Sequence, residues 1–223
     1  MIGIAYILLL KNNDEQANFM EAKTVLDFWF GKDCEQTQPR SAQDISKQQS
    51  KLWWSKNETI DADIQQRFEP TLKALLTGHY PSWFETPQGR LAAIIVLDQF
   101  SRNMYRNNAQ AFTQDSLALH WALEGIRKGE DKKLTPLQRV FFYLPLEHCE
   151  QLNMQNLAIE KFEQLASDAP ASFADLAHGF VSYAHQHQEV IARFSRFPHR
   201  NRLLNRTSTT EEETYLAQPG SGF

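Results

Sequence analysis

Apolar residues recur at helical spacing along almost the whole chain. Over residues 59–76, Ile60, Ile64, Phe68, Leu72 and Leu75 fall three or four apart and line one face of an amphipathic helix, closed by Gly78 and Pro81. Residues 22–30, AKTVLDFWF, read as a short apolar helix stopped by Gly31, whereas residues 32–48 are polar and weakly patterned and read as a loop. Thr86-Pro87 supplies a cap and a proline at the first helical position. The stretch that follows, GRLAAIIVLDQFSRNMYR, would pass for a buried strand over residues 92–97, but its length and polar continuation assign it to a buried helix.

Helices are predicted next over residues 114–128, ended by Gly129, and from the capping-box start Thr135-Pro136-Leu137-Gln138. The latter meets Pro145, which is expected to bend or break it. Residues 154–166 and 173–194 carry two more helices, the second stopped before Pro198, and Ser208-Thr209-Thr210-Glu211 reads as a capping box opening a last helix to about Ala217. With no alternating strands and no Asn-Gly hairpin, the pattern predicts an all-α fold, an array of antiparallel helix pairs. No 34-residue repeat with a fixed consensus is visible, so any repeat is structural only.

Composition narrows the classes. At 223 residues the chain suits one domain, and five Trp with fifteen Phe imply a core packed largely with rings. A net charge of −4 argues against nucleic acid as a partner, which needs a basic footprint. Cys34 and Cys149 stand far apart in no metal-type spacing, which points to a reducing, cytoplasmic compartment without a disulfide framework. MIGIAYILLL has no positive region before it, and its ten residues are too few to span a membrane; residues 1–19 read as an extension ahead of Met20.

Four polar clusters interrupt this apolar pattern. In LDQFSRNMYRN, Asp98, Arg102 and Arg106 lie at i, i+4 and i+8, along one helical stripe. Such a stripe is either a salt-bridge ladder or a set of arginines oriented to grip a carboxylate or phosphate. In YLPLEHCEQ, Pro145 precedes Glu147, His148 and Glu150; Glu147 and Glu150 are i, i+3 neighbours while His148 points elsewhere, too few ligands for a metal site. In HGFVSYAHQHQEVIARF, His178 and His185 share a face and His187 is offset, with no nucleophile motif beside them. The last, RFSRFPHRNRLLNR, packs five arginines and His199 into fourteen residues without an acid, interleaved with Phe194, Phe197, Leu203 and Leu204 that tie it to a core.

VLDFWFG, the Trp53–Trp54 pair, GRLAAIIVLDQFSRNMYR, AFTQDSLAL, FFYLPLEHCEQLNMQ, RFSRFPHRN, STTEE and PGSGF together resemble the DUF924 family, from about Met20 to Phe223. The resemblance implies a tetratricopeptide-like helical superhelix as a single domain over residues 20–223. It also implies one shared site drawing on Asp98, Arg102, Arg106, Glu147, His148, His187, Arg196, His199, Arg200, Asn201 and Arg206. Two positions depart from the family pattern, Ser195 and Asn205 where glycine is usual; if those glycines hold left-handed turns, Ser195 is strained and Asn205 tolerated better.

The leading expectation is a non-catalytic module with no cofactor or metal. Its arginine-rich pocket, with Asp98 and Glu147 orienting the arginines, would bind an anionic group of a small molecule or peptide. The alternatives are a hydrolase-type enzyme with His148 or His199 as base, Glu147 as orienter and arginine clamps, or a purely structural network of arginine–carboxylate pairs. Because the family-like sequence begins near Met20, deletion of residues 1–19 is expected to leave the thermal midpoint nearly unchanged. A fall of about ten degrees on thermal unfolding would instead make the extension part of the core.

Overall fold

The computed structural model describes residues 20–32 and 40–222; the extension 1–19 and Cys34 lie outside the described residues. The chain is all-α, with no strand among the described residues. Helix α1 (Ala22–Phe30) ends at Gly31, whose φ of 81° breaks the helix. Over residues 42–48, where a loop with at most a helical turn was expected, helix α2 (Ala42–Trp54) stands instead: the Ser41 hydroxyl accepts the Asp44 N–H at 3.1 Å and opens a helix in which only Trp53 is buried, while residues 33–39 lie outside the described residues. A helix touching the core through so little surface carries no apolar stripe to announce it.

Helix α3 (Glu58–Leu76) starts on the Asn57 cap and runs through Pro70. Helix α4 (Pro87–Ile95) starts on Thr86 and continues through a wide π-type turn, Val96–Phe100, into the short α5 (Ser101–Met104). Every residue from 89 to 101 is buried. Gly89 is required there because a β-carbon would lie 2.3 Å from the Trp83 carbonyl oxygen. Helices α6 (Asp115–Arg127), α7 (Pro136–Glu147), α8 (Leu152–Asp168), α9 (Ala174–Phe194) and α10 (Thr210–Leu216) complete the order. Pro145 does not break α7: the His148 N–H reaches the Leu144 carbonyl, and the helix stops at Glu147 with His148 as its C-cap. The last capping box is Thr209 with Glu212, one residue later than the sequence suggested.

Helix α4 packs on α1, α6 and α7, and α3 packs on α5 and the π turn, while α6, α7, α8 and α9 each lie against the next. At the centre Trp29 meets Phe100 and Phe141 with ring centroids 5.5 and 5.4 Å apart, and Trp53 meets Phe141 at 4.8 Å. The edge-on geometry of these contacts stabilises aromatic cores beyond the area they bury.

Helix α9 ends at Ser195, which adopts φ 57°, ψ 13°, and Asn205 has φ 52°, so both positions where the family pattern has glycine are left-handed. Left-handed geometry costs a β-carbon-bearing residue about 1–2 kcal/mol, and part of that is offset because glycine loses more entropy on folding. Replacing Ser195 by glycine is therefore expected to raise the thermal midpoint by up to about 3 °C. A lowered midpoint in a thermal melt of the variant would show that the serine side chain contributes more than its backbone costs.

Candidate functional site

The site forms where three irregular segments meet: the π turn after α4, the turn after α7, and the 3-10 turn Pro198–Arg200 after α9. A π turn shifts the register of a helix by one residue, and here it leaves Asp98 and Gln99 buried side by side. Asp98 is 1% exposed. Its Oδ1 lies 2.7 Å from Nδ1 of His148 and 3.0 Å from Nη1 of Arg102, and its Oδ2 accepts from Gln99 at 2.5 Å. Although burial pushes Asp98 up, the Arg102 guanidinium and His148 hold its carboxyl well below the ordinary range, so it is ionised.

Arg102 then forks onto Asp115 at the start of α6, with Nη1 and Nη2 donating to its two oxygens at 2.8 and 3.1 Å. Arg200 reaches the same carboxylate through one longer bond, Nη1 to Oδ2 at 3.3 Å. Its guanidinium lies 4.7 and 4.5 Å from the centroids of the Phe112 and Phe197 rings, and its Nε is buried with no hydrogen-bond partner among the described residues. Burial, then Arg102, pulls Arg200 down to about 10, so it stays charged at neutral pH. Arg200 and His148 line a cavity of about 460 Å³ together with Phe112, Asp115, Cys149 and Glu150, the wall being completed by apolar residues such as Leu119 and Leu204.

The remaining predicted residues divide. Glu147 orients no arginine; it is buried against His187, with Nδ1 3.0 Å from Oε1, and that same Nδ1 lies 2.9 Å from the Tyr183 carbonyl. Burial, then the Asp98 charge, raises Glu147 to about 8, and burial lowers His187 to about 3, so at neutral pH both groups are uncharged and their contact is not an ion pair. The rings of His187 and His148 lie 6.4 Å apart, and Phe197 separates His187 from His199. Burial, then Arg200, lowers His199 to about 4. Arg206 grips both oxygens of Glu150 at 2.6 and 2.9 Å and is steadied by Asn201, which also holds Ser208.

Arg106 and Arg196 do not line the cavity. Helix α5 ends at Met104, so Arg106 leaves the expected stripe and pairs with Asp61 of α3. Arg196 forks onto Glu212 of α10 at 2.6 and 2.8 Å. His148 points away from its neighbours Glu147 and Glu150, as helical spacing suggested, and at the end of α7 it meets Asp98.

Sequence reasoning missed Asp115, the carboxylate both site arginines share, although AFTQDSLAL had marked its motif. It also missed Phe112 and Gln155; the buried Gln155 amide donates to the Glu147 and Cys149 carbonyls, both at 2.6 Å, and fixes the turn that carries His148. The Cys149 thiol is pushed up by burial, which keeps it protonated and poorly nucleophilic. Among the described residues no group of three or more His, Cys, Asp or Glu is placed to hold a metal ion, and no helix is long and apolar enough to cross a membrane.

A model of the family described as "Bacterial protein of unknown function (DUF924)" matches residues 25–220. The chain belongs to the DUF924 family. A solved structure, a protein of unknown function, ATU0120 from Agrobacterium tumefaciens, is 31% identical, with a TM-score of 0.72 over 88% of this chain and 96% of that one. No curated protein matches. DUF924 membership thus agrees with the helical fold and leaves the chemistry to be argued from the geometry above.

The buried titrating groups set a stability profile. Glu147 keeps its proton in the folded state to about pH 8 but loses it near 4.5 when unfolded, so it withdraws stability as pH rises between those values. His187 and His199, lowered from 6.5 to about 3 and 4, act oppositely: the stability they contribute is present above 6.5 and lost as pH falls through their folded values. The thermal midpoint is therefore expected to peak near pH 6.5 and to fall toward pH 8, by roughly 2 kcal/mol of stability. Glu147→Gln should remove the alkaline fall and keep the acid one. An equal fall in parent and variant, measured by thermal unfolding across pH, would refute the assignment.

Proposed function

We propose that this DUF924 protein binds the anionic group of a small molecule or peptide in the cavity beside Arg200. The observation that carries this reading is the state of Arg200 itself. It is 5% exposed, yet it has one long bond to a carboxylate already held bidentately by Arg102, and a buried Nε with no partner among the described residues. Buried guanidinium donors are ordinarily satisfied; Arg200 lines the cavity, and an anion there would supply acceptors to its Nη donors, of which Nη1 has only the long bond to Asp115. The cavity's size falls within the range of about 300–1,000 Å³ usual for small-molecule sites.

The purely structural reading accounts for Arg106 on Asp61, Arg196 on Glu212 and Arg206 on Glu150, each a pair that locks segments together. It accounts less well for Arg200, whose only ion pair among the described residues is the long bond to a carboxylate that Arg102 already holds. One observation favours an enzymatic reading as well: the Asp98–His148 pair is an imidazole oriented by a buried carboxylate at a cavity wall, the arrangement of a general base. The tetratricopeptide-like array belongs to the same proposal. The serial packing of α6 to α9 supports it, and α4, which touches α1, α6 and α7, adds a central helix that a nearest-neighbour stack lacks. A cytoplasmic location fits this reading.

Binding is tested by thermal unfolding with benzoate or phosphate, using chloride to match ionic strength. At ten times Kd an anion should stabilise the parent by about 1.4 kcal/mol. Arg200→Gln should abolish the effect at a cost of about 1 kcal/mol, since Asp115 keeps Arg102 as its partner. A variant destabilised by roughly 3–5 kcal/mol, with no anion effect in the parent, would leave the structural network as the answer.

A further inference from the structure

Resting on the anion-binding reading, the charges and hydrogen-bonding capacities around the cavity narrow the ligand class. Asp98, Asp115 and Glu150 balance Arg102, Arg200 and Arg206 one for one. The neighbouring Glu147, His187 and His199 are uncharged at neutral pH. The site is thus near neutral before any ligand enters. Two of the carboxylates, Asp115 and Glu150, line the cavity itself, so a second negative charge on a ligand is repelled at short range. Nε of Arg200 is closed off by burial and Nη1 is shared with Asp115, so the planar guanidinium has donors left for one carboxylate. A phosphate dianion brings more acceptors and more charge than that edge satisfies.

The opposite requirement comes from His148. Asp98 is ionised and only accepts hydrogen bonds, so Nδ1 of His148 carries the proton shared with it. Burial, then the Arg102 charge, lowers His148, which leaves the imidazole neutral and Nε2 an acceptor. Nε2 has no protein donor among the described residues, and His148 lines the cavity. An occupant that displaces water from this atom therefore has to bring a donor of its own. The wall also carries the apolar Phe112, Leu119, Pro145 and Leu204, with the polar Thr113, Ser116 and Gln151 among them.

We propose that the ligand is a monocarboxylic acid with an apolar body that also carries a hydroxyl or amide N–H, with its carboxylate on Arg200 and its donor on Nε2 of His148. Both hydroxy acids and N-acyl amino acids, including the last residue of a peptide, have this chemistry.

Isothermal titration with one phenylpropanoid series separates the terms. The probes are 3-phenylpropanoate, which lacks the donor; 3-phenyllactate, with a hydroxyl; N-acetylphenylalanine, with an amide N–H; N-acetylphenylalaninamide, which lacks the carboxylate; and inorganic phosphate. A site built around a polar partner discriminates strongly against an analogue lacking it. At least one of 3-phenyllactate and N-acetylphenylalanine should bind about tenfold or more tighter than 3-phenylpropanoate and phosphate. The amide, with its carboxylate blocked, should not bind measurably. Preference for 3-phenyllactate points to a hydroxy acid, and preference for N-acetylphenylalanine to an acylated amino acid or peptide end. In His148→Phe the donor advantage should collapse while carboxylate binding persists, and in Arg200→Gln both acids should be lost. In the unmodified protein, equal affinity for all three acids, phosphate binding as tight as theirs, or no binding by any acid overturns this ligand class. If an Arg200-dependent stabilisation by benzoate or phosphate survives that result, only the ligand class has failed; if it is absent too, the anion-binding reading fails with it.

Discussion

A carboxylate taken out of water must recover its solvation from partners or surrender its charge, and Asp98 is where this protein meets that demand. It sits 1% exposed within the apolar helix that runs through the core. Arg102, His148 and Gln99 together keep it ionised, and each is fixed in turn by that duty. Arg102 extends the chain to Asp115, and Asp115 to Arg200, so one buried charge organises the end of α7, the start of α6 and the turn after α9. The charged Asp98 also bears on its neighbour. Burial alone pushes Glu147 toward keeping its proton, and a second ionised carboxylate this close to Asp98 adds to that push.

Two buried carboxylates pushed in opposite directions create distinct roles from similar chemistry. Asp98 accepts and orients; Glu147 stays neutral beside a neutral His187. The division explains why this cluster of acids, histidines and arginines presents Arg200 and His148 as under-partnered groups at the cavity. The other cations are spent in place: Arg206 ties Glu150 to the loop after Pro198, Arg196 docks α10, and Arg106 ties α5 to α3.

The backbone around the cavity carries the irregularities that such a cluster needs. The π turn buries Asp98, Ser195 in left-handed geometry ends α9, and the 3-10 turn through Pro198 brings Arg200 back toward α6. Ser195 is a local cost that the surrounding contacts override, the usual condition for a strained residue to persist.

The helical class was legible in the sequence because apolar spacing, caps and breakers are local properties. The helix from Pro87, the Thr135 capping box and the stop at Gly31 all follow from neighbours a few residues away. Helix α2 was not legible, since a single buried tryptophan leaves no periodic signal. The family resemblance named the motifs of the site, and Asp98, Arg102, His148 and Arg200 do meet. Arg106 and Arg196 were drawn elsewhere by Asp61 and Glu212, and Asp115 was recruited from a motif that had suggested nothing polar. Pairing of charges is decided by distances between segments up to about a hundred residues apart, and no spacing along the chain encodes which carboxylate an arginine will reach. Sequence alone determined that this would be a helical protein with arginines gathered near its C-terminal end. Only the packed structure decided which of them was buried without a full set of partners, because burial and competition for the same carboxylate exist only once the helices have come together.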